Sequence, residues 1–515
     1  MRPWVKAPSD FDDLLWVDEQ IWGHRLHDEQ GPWLTMLEFL TVLHHHSEAP
    51  LEGHREVEGP LRYRPQRQLR LRNILFNNPH FLEVLVDPNL PSEEAWRLWT
   101  TRMAHKPLGV AEGEAHYEDL QQAFPDFADF VKVVEYLRRT AVEGLGGKRW
   151  TTRFVYPFGP ASLYEDLREK GGSFQTDRLF FARNGELLYL MLCRSRRAAE
   201  LGPQLVKLFF DRPNPSERLV EVLQGKAQLA PGDDLRKGGV LPYIRSEDFD
   251  ALADDWARLL ARELPAFDVL PHLVTITTLH LLLYFLRRAA EILELPRPTL
   301  ALEMVISQRT AIRDIAAQSF EQNNTLPARA VEAFVRTVEG HEAWRQAMRS
   351  DSPQDGVCEL LDQIFHWPSS EQRAEFPSGI SPGGILDHLV EEVRGRHSGH
   401  VGKIHATWTK AIGLASKRSS RRLRYAPTDQ FLKTLVLCCV ERRMEFKAFL
   451  ATLYERYGIV IGEIEGGSWV TDGLADRQAF ERNARRLEER LTSLGLGERL
   501  SDACAYVHSV VERGR

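Results

Sequence analysis

The longest apolar run in the chain, residues 270–286, constrains its fold more than any other feature. It falls short of the ~20 residues that a helix needs to cross a bilayer. Six residues that suit a membrane span poorly lie within it: Pro271, His272, Thr275, Thr277, Thr278 and His280. The sequence therefore predicts a helix buried inside a helical protein, with no membrane contact.

Composition supports a large globular protein. A chain of 515 residues should divide into three or four units of ~100 to 200 residues each. Hydrophobic residues make up 43% and charged residues 27%, which are ordinary globular values. The five cysteines have no C-x-x-C spacing, so neither a disulfide framework nor a zinc ribbon is predicted. No apolar signal-peptide core follows Met1, and we expect a cytoplasmic location.

Breaks in composition divide the chain into four predicted units. Residues 1–147 form an N-terminal helical unit with an arginine-rich segment, and residues 148–240 form an α+β unit with a hairpin. Residues 241–390 have the apolar spacing of helices, and residues 391–515 form a basic unit. The predicted fold class is mainly α with small β elements, in several domains, with a winged-helix-like C-terminal unit.

The clearest strand signal lies in the second unit. Two apolar runs, 180–181 and 187–192, flank Asn184 and Gly185. Asn-Gly between apolar runs is the dipeptide of a tight hairpin turn. We therefore expect a β-hairpin at this place.

The basic stretch, residues 393–428, carries nine Lys or Arg and no Asp or Glu in a chain of net charge −7. Such a block is typical of a surface that binds phosphates. A solvated or subunit-facing surface is the alternative. We expect contact with nucleic acid, most simply DNA, through Lys403, Lys410, Lys417, Arg418, Arg421, Arg422 and Arg424. Protonated histidines could add charge beside a phosphate, and the stretch contains His397, His400 and His405.

Two local structures are compatible with the basic stretch. One helix over residues 403–424 would place cations on one face, with Ile404 and Trp408 on the opposite, inward face. Alternatively, the helix ends near Ala415, and a loop over residues 416–422 leads into a short strand. Both structures present the cations of the loop region to solvent.

The segment after the basic stretch has the parts of a winged-helix-like domain. Thr428 or Asp429 should cap a helix, and a second helix should end at Gly458. A strand over residues 459–462 and an amphipathic helix over residues 476–494 follow. Winged-helix domains are common DNA-reading modules.

A second basic segment lies near the N-terminus. Arginine binds phosphates and base edges in a bidentate manner, which suits it to nucleic acid. Alternation over residues 67–72 predicts a strand with Arg70 and Arg72 on one face. We expect five arginines to contact nucleic acid, namely Arg62, Arg64, Arg67, Arg70 and Arg72.

No complete catalytic motif occurs in the sequence. Phosphate-binding glycine loops, the dinucleotide fingerprint and the G-x-S-x-G motif are all missing. Glu303, on a strand predicted over residues 300–306, is similar to the acidic strand of metal-dependent nucleases, but no partnering lysine or second acid is identifiable. We predict no catalytic residue, no metal site and no cofactor.

Three segments of the chain resemble large accessory proteins of bacterial phage-defence islands. They are residues 309–314 together with Asn323 and Asn324, residues 421–429 and residues 454–462. The resemblance covers about the C-terminal half. It implies a subunit that works beside an ATPase, a nuclease or a DNA-modifying enzyme, and it transfers no catalytic residue.

These observations lead to one main hypothesis and two alternatives. The main hypothesis is a non-enzymatic DNA-binding or scaffold subunit of a bacterial anti-phage defence or DNA-processing complex. The first alternative is a metal-dependent nuclease with a diverged active site that uses Glu303. The second is a protein-assembly scaffold whose basic surface binds an acidic partner subunit.

Overall fold

The structure is a computed structural model of the chain. The residues that it describes are 4, 15–54, 61–68, 70–84, 90–103, 117–143, 153–170, 173–176, 181–211, 214–225, 236–237, 239, 241, 243–304, 310–418, 421–501 and 504–509.

The fold is mainly α-helical with small β elements, which confirms the predicted fold class. The helices in chain order are α1 (Asp18–Trp22), α2 (Pro32–His45), α3 (Arg70–Phe76), α4 (His80–Val84), α5 (Ser92–Met103), α6 (Glu118–Ala123), α7 (Phe127–Thr140), α8 (Asn184–Cys193), α9 (Ala198–Phe209), α10 (Pro215–Gln224), α11 (Glu247–Leu260), α12 (Ala266–Ile292), α13 (Ala311–Arg336), α14 (Glu342–Met348), α15 (Pro353–Phe365), α16 (Ser370–Glu375), α17 (Pro382–Gly399), α18 (Ile404–Ala411), α19 (Asp429–Cys439), α20 (Phe446–Tyr457), α21 (Gly467–Thr471) and α22 (Arg477–Ser493).

The strands are short and pair in twos and threes. In chain order they are β1 (Arg62–Tyr63), β2 (Arg67–Gln68), β3 (Val142–Glu143), β4 (Arg153–Phe154), β5 (Glu165–Lys170), β6 (Ser173–Thr176), β7 (Arg236–Lys237), β8 (Leu300–Ala301), β9 (Ala415–Ser416), β10 (Arg424–Tyr425), β11 (Arg443–Glu445), β12 (Ile459–Val460), β13 (Gly497–Arg499) and β14 (Ala505–His508). The small sheets are β1-β7, β3-β4, β2-β5-β6, β12-β8, β10-β9 and β11-β14-β13. The helices therefore provide most of the core.

The helix α12 lies at the centre of the fold and contains the apolar run. It packs against α2, α11, α13 and α19. Within the part of the chain that the structure describes, it alone has the length and apolarity of a membrane span, and 89% of its most apolar 18-residue window is buried in the protein. Its threonines have partners inside the core, since Thr277 accepts a hydrogen bond from Trp256 at 2.9 Å and Thr278 donates to Val274 at 2.8 Å.

A buried carboxylate fixes the C-terminal helices to this centre. Asp255 of α11 lies 2.7 Å from His280 of α12, accepts a hydrogen bond from the Tyr457 hydroxyl at 2.8 Å, and forms an ion pair with Arg456 of α20. Burial would raise the pKa of Asp255, but the hydrogen bond from His280 and the charges of His280 and Arg456 hold that pKa below its ordinary value.

The β-hairpin predicted around Asn184 and Gly185 is wrong, because α8 occupies this place. Residue 180 lies outside the described residues. All of α8 is buried, and an apolar run buried on every side does not distinguish a helix from a strand. The Gly185 amide donates to the Glu38 carboxylate at 2.7 Å, and a Cβ at this glycine would lie 2.5 Å from the backbone nitrogen of Phe39. Asn-Gly thus begins a helix that packs closely on α2.

The C-terminal part is built around the sheet β11-β14-β13, whose pairs are antiparallel. Along the chain the order is α19, β11, α20, α22, β13 and β14, with β12 and α21 between α20 and α22. β12 pairs in parallel with β8, with Ile459 opposite Leu300. This pairing and the Asp255 contacts join the C-terminal part to the rest of the molecule.

The helix ends in this region lie where the sequence predicted them. Thr428 accepts a hydrogen bond from the Phe431 amide at 3.3 Å, Gly458 ends α20 with a φ of 71°, and Asp476 caps α22 by accepting from Ala479 at 2.6 Å. The predicted strand over residues 459–462 is observed as β12. The winged-helix assignment and the division into four units stay predictions.

Candidate nucleic-acid interface

The basic stretch forms a short helix followed by a hairpin, so the second of the two local predictions is confirmed and the single long helix is wrong. α18 ends at Ala411, and β9 pairs antiparallel with β10, with Ser416 opposite Arg424. Gly413 ends the helical segment because its φ of 73° is left-handed, and a Cβ there would lie 2.3 Å from the Thr428 hydroxyl oxygen. We call residues 415–425 the basic hairpin.

The loop of the basic hairpin presents its cations to solvent. Lys417, Arg418, Arg421 and Arg422 are all exposed, while residues 419–420 lie outside the described part of the chain. Among the described residues, no acidic side chain pairs with Lys417, Arg418 or Arg421. These three charges are therefore available to an external anion.

Arg424 is a correction to the predicted set of contacts, because it is buried. Its guanidinium forms an ion pair with Glu303 and donates to the carbonyl oxygen of Arg418 at 2.6 Å. Arg313 donates to the other oxygen of Glu303 at 2.9 Å. The role of Arg424 is thus to hold the loop in place, and it cannot contact a phosphate in this conformation.

The contacts of Glu303 also bear on the nuclease alternative. Each of its carboxylate oxygens already binds an arginine. The strand predicted over residues 300–306 is present only as β8, and residues 305–309 lie outside the described part. Among the described residues, no group of three or more His, Cys, Asp or Glu is placed to hold a metal ion. This carboxylate serves as the partner of two arginines.

The helix α18 supports the hairpin from one side. Ile404 and Trp408 are buried, which confirms their predicted inward orientation. Lys403 and Lys410 are exposed, and the Lys403 ammonium group donates to the carbonyl oxygen of Gly399 at 2.5 Å. Lys403, just before α18, and Lys410, within it, therefore add two surface cations.

The histidines of the basic stretch serve internal contacts. His405 is buried, and its Nε2 lies 2.8 Å from the hydroxyl of Tyr425, which also accepts a hydrogen bond from Asn323 at 2.9 Å. Burial lowers the pKa of His405 to about 3, so the ring is neutral at physiological pH and cannot charge-pair with a phosphate. His397 and His400 lie beside acids of the N-terminal part, at 3.2 and 3.3 Å.

The N-terminal basic segment is divided between surface and interior. Arg62 and Arg64 are exposed. Arg67 is partly buried, and its Nε lies 3.4 Å from the buried carboxylate of Glu165. Of the five arginines, Arg62 and Arg64 are the two that are exposed and have no acidic partner among the described residues.

Arg70 and Arg72 correct two further predicted contacts, because both are buried in α3 instead of exposed on a strand. Arg70 donates to both carboxylate oxygens of Asp119, at 2.7 and 2.6 Å, and to the carbonyl oxygen of Leu223 at 3.0 Å. A strand of alternating residues would have left both arginines at the surface. The observed helix packs them against α6, α7 and α10.

A row of arginines on α22 was missed by the sequence analysis. Arg482, Arg485 and Arg486 are exposed, and Arg486 lies 2.8 Å from Glu489. No acid among the described residues pairs with Arg482 or Arg485. The i, i+4 spacing of arginines was the available signal, but glutamates interspersed on the same helix conceal it.

Comparison with known proteins gives a match in this same region. Residues 390–510 match the model of a family described as methylation-associated defense system protein MAD7. No curated protein and no solved structure matches the chain. The matched segment contains the basic hairpin and α22. The match confirms the predicted resemblance to accessory proteins of bacterial phage-defence islands and places it in residues 390–510.

Proposed function

We propose that the protein is a non-enzymatic DNA-binding subunit of a bacterial anti-phage defence complex, acting in the cytoplasm. The basic hairpin would contact backbone phosphates through Lys417, Arg418, Arg421 and Arg422. Lys403, directly before α18, and Lys410 of α18 would extend this contact. Arg62 and Arg64 form a second, separate pair of exposed arginines, which is not part of this contact.

The observation that carries this proposal is a group of exposed cations without described acidic partners. Lys417, Arg418 and Arg421 are exposed, and among the described residues no acid pairs with them. The loop is held at its base by the buried ion pair between Arg424 and Glu303. Side chains that are held in place at the two ends of the loop lose less conformational entropy when they bind a phosphate backbone.

The family match supports the defence context and a system of several components. We propose that the other subunits include an ATPase, a nuclease or a DNA-modifying enzyme. The chain would then supply the contact with DNA, and a partner would supply the chemistry. Since both oxygens of Glu303 are bound by arginines, we do not assign the nuclease activity to this chain.

The test is the salt dependence of binding to a fluorescent DNA duplex, measured by anisotropy. Each lost phosphate contact lowers the slope of log K against log salt by ~0.9. A variant with Arg418→Ala, Arg421→Ala and Arg422→Ala should therefore bind more weakly, with a slope smaller by up to about 2.7.

A matched control removes three exposed cations elsewhere, with Arg97→Ala, Lys132→Ala and Arg345→Ala. It changes the net charge equally and should leave the slope near that of the unmodified protein. Equal slopes for the hairpin variant and the unmodified protein would refute DNA contact by the hairpin. A nuclease-resistant acidic protein that binds only the unmodified hairpin would instead support the scaffold alternative.

A further inference from the structure

Apart from β12 and α21, which lie between α20 and α22, the order of strands and helices in the C-terminal part is that of winged-helix domains. In those domains a helix and a strand precede two helices and two strands, and the first strand pairs with the last. The observed order is α19, β11, α20, α22, β13 and β14, and β14 lies between β11 and β13. In this arrangement α22 takes the place of the helix that enters the DNA groove, and β13 with β14 takes the place of the wing.

The helix α22 has one buried face and one cationic edge. Asn483 marks the buried face, since its side chain donates to the carbonyl oxygens of Leu302 and Ile461 at 2.9 and 3.1 Å. Arg482, Arg486 and Arg490 are spaced four residues apart, so these three lie along one edge of the helix. The exposed Arg485 lies on the face opposite Asn483.

Two glutamates of α22 lie away from this edge. Helical spacing places Glu481 and Glu488 across the helix from Arg486 and Arg490, next to Arg485. Glu489 lies close to the arginines and pairs with Arg486 at 2.8 Å, with both side chains half exposed. A solvent-exposed pair of this kind contributes little, so a phosphate can replace the carboxylate at low cost.

The cationic edge of α22 borders the basic hairpin. Arg490, at the end of the edge, donates to the carbonyl oxygen of Pro427 at 2.9 Å and pairs with Asp429 at 2.6 Å, directly after β10. The buried face is connected to the hairpin as well, because Met304 donates to Asn483 at 2.7 Å while its neighbour Glu303 binds Arg424. The C-terminal end of α22 therefore lies next to the segment that directly follows the hairpin.

We propose that α22 binds in the major groove of duplex DNA, with Arg482, Arg485 and Arg486 as its contacts and the basic hairpin on the adjacent backbone. The major groove is ~12 Å wide and admits one α-helix. The 17 residues of α22 give it a length of about 25 Å. This inference rests on the proposed DNA-binding function and adds to it the form of nucleic acid, the groove and the reading helix.

The experiment compares two triple variants of the full chain that remove equal charge. One carries Arg482→Ala, Arg485→Ala and Arg486→Ala on α22, and the other is the hairpin variant. Alanine favours helix, and Arg482 and Arg485 have no described acidic partner, so the α22 variant should keep its fold, as circular dichroism can verify. The readouts are the salt slope on a DNA duplex, the ratio of duplex to single-strand affinity, and protection of guanine N7 from dimethyl sulfate, which reports major-groove occupancy.

We expect the unmodified protein to prefer duplex and to protect guanine N7. The α22 variant should lose that protection, and its slope of log K against log salt should be smaller by up to about 2.7. If the α22 variant keeps full affinity and slope while the hairpin variant loses both, the groove assignment is refuted and the proposed function stands. Preference for single strands or RNA, or duplex binding without N7 protection, also refutes the assignment. If neither variant alters DNA binding, both proposals fail.

Discussion

The buried ion pair at the base of the basic hairpin yields a quantitative prediction. Arg424 is 0% exposed and Glu303 is 1% exposed, so Arg424→Met leaves a buried carboxylate whose remaining partner is Arg313. Breaking a buried pair by removing one partner costs ~3–5 kcal/mol. Because Arg313 stays, we expect the lower end, about 3 kcal/mol, for opening the hairpin.

A protein of this size need not unfold in two states, so the opening free energy is best measured locally by hydrogen exchange. The reporter is the amide of Glu303, which donates to the carbonyl oxygen of Tyr425 at 2.9 Å and so joins β10 to the segment after β8. A cost of about 3 kcal/mol corresponds to exchange faster by roughly 150-fold at that amide. The amides of α7, distant in sequence from the hairpin, provide an internal control.

The double variant distinguishes a specific pair from general damage. Glu303→Gln alone leaves Arg424 without its charged partner, and combined with Arg424→Met it removes both buried charges. We expect the double variant to open less readily than the sum of the single effects, by a coupling free energy of about 2 kcal/mol. Strictly additive effects would show that the two side chains act independently, and the reasoning that this pair holds the cationic loop would be wrong.

Three further predictions concern buried positions of the fold. In the folded protein burial lowers the pKa of His405 from 6.5 to about 3, so the unfolded state binds the proton first as pH falls. From pH 7.5 to 5 the native protein should lose about 2 kcal/mol more stability than His405→Gln, measured locally by hydrogen exchange of the α18 amides at both pH values. Gly185→Ala should lower the melting temperature at a cost of about 1–3 kcal/mol, because its Cβ meets the Phe39 backbone, whereas Gly395→Ala in the open part of α17 should not lower it. Asp255→Asn should speed hydrogen exchange in α20, because it leaves the partly buried Arg456 without its charged partner, a loss of up to ~3 kcal/mol. Unchanged exchange there would contradict this role.

Features encoded by neighbouring residues were predictable from the sequence. Thr428 caps the start of α19 and Gly458 ends α20, as predicted, because helix caps and left-handed helix ends depend on residues within one turn. The basic loop was also accessible to sequence reasoning, since Gly413 and a polar run disfavour a continuous helix. The inward orientation of Trp408 followed from helical spacing alone.

Features that depend on distant partners were not predictable. Arg70 binds Asp119, 49 residues away, and Arg424 binds Glu303, 121 residues away. Nothing near either arginine in the sequence marks it as buried, so both resembled surface cations. The hairpin predicted at Gly185 failed for the same reason, because the Glu38 carboxylate that receives its amide lies 147 residues away.

The buried arginines that pair with Glu303 and the exposed cations of the hairpin loop have complementary electrostatic roles. A net charge of −7 opposes the approach of a polyanion, so the proposed contact with DNA is favoured where acids are absent. Glu303 pairs with Arg424 and Arg313 inside the protein, while Lys417, Arg418 and Arg421 of the loop have no acidic partner among the described residues. Glu303 therefore stabilises the hairpin without neutralising the positive charge of its loop. The acidic residues elsewhere in the chain favour the approach of a polyanion from the side of the hairpin and α22. If the proposed function holds, such a charge distribution provides specific orientation of the DNA more than affinity for it.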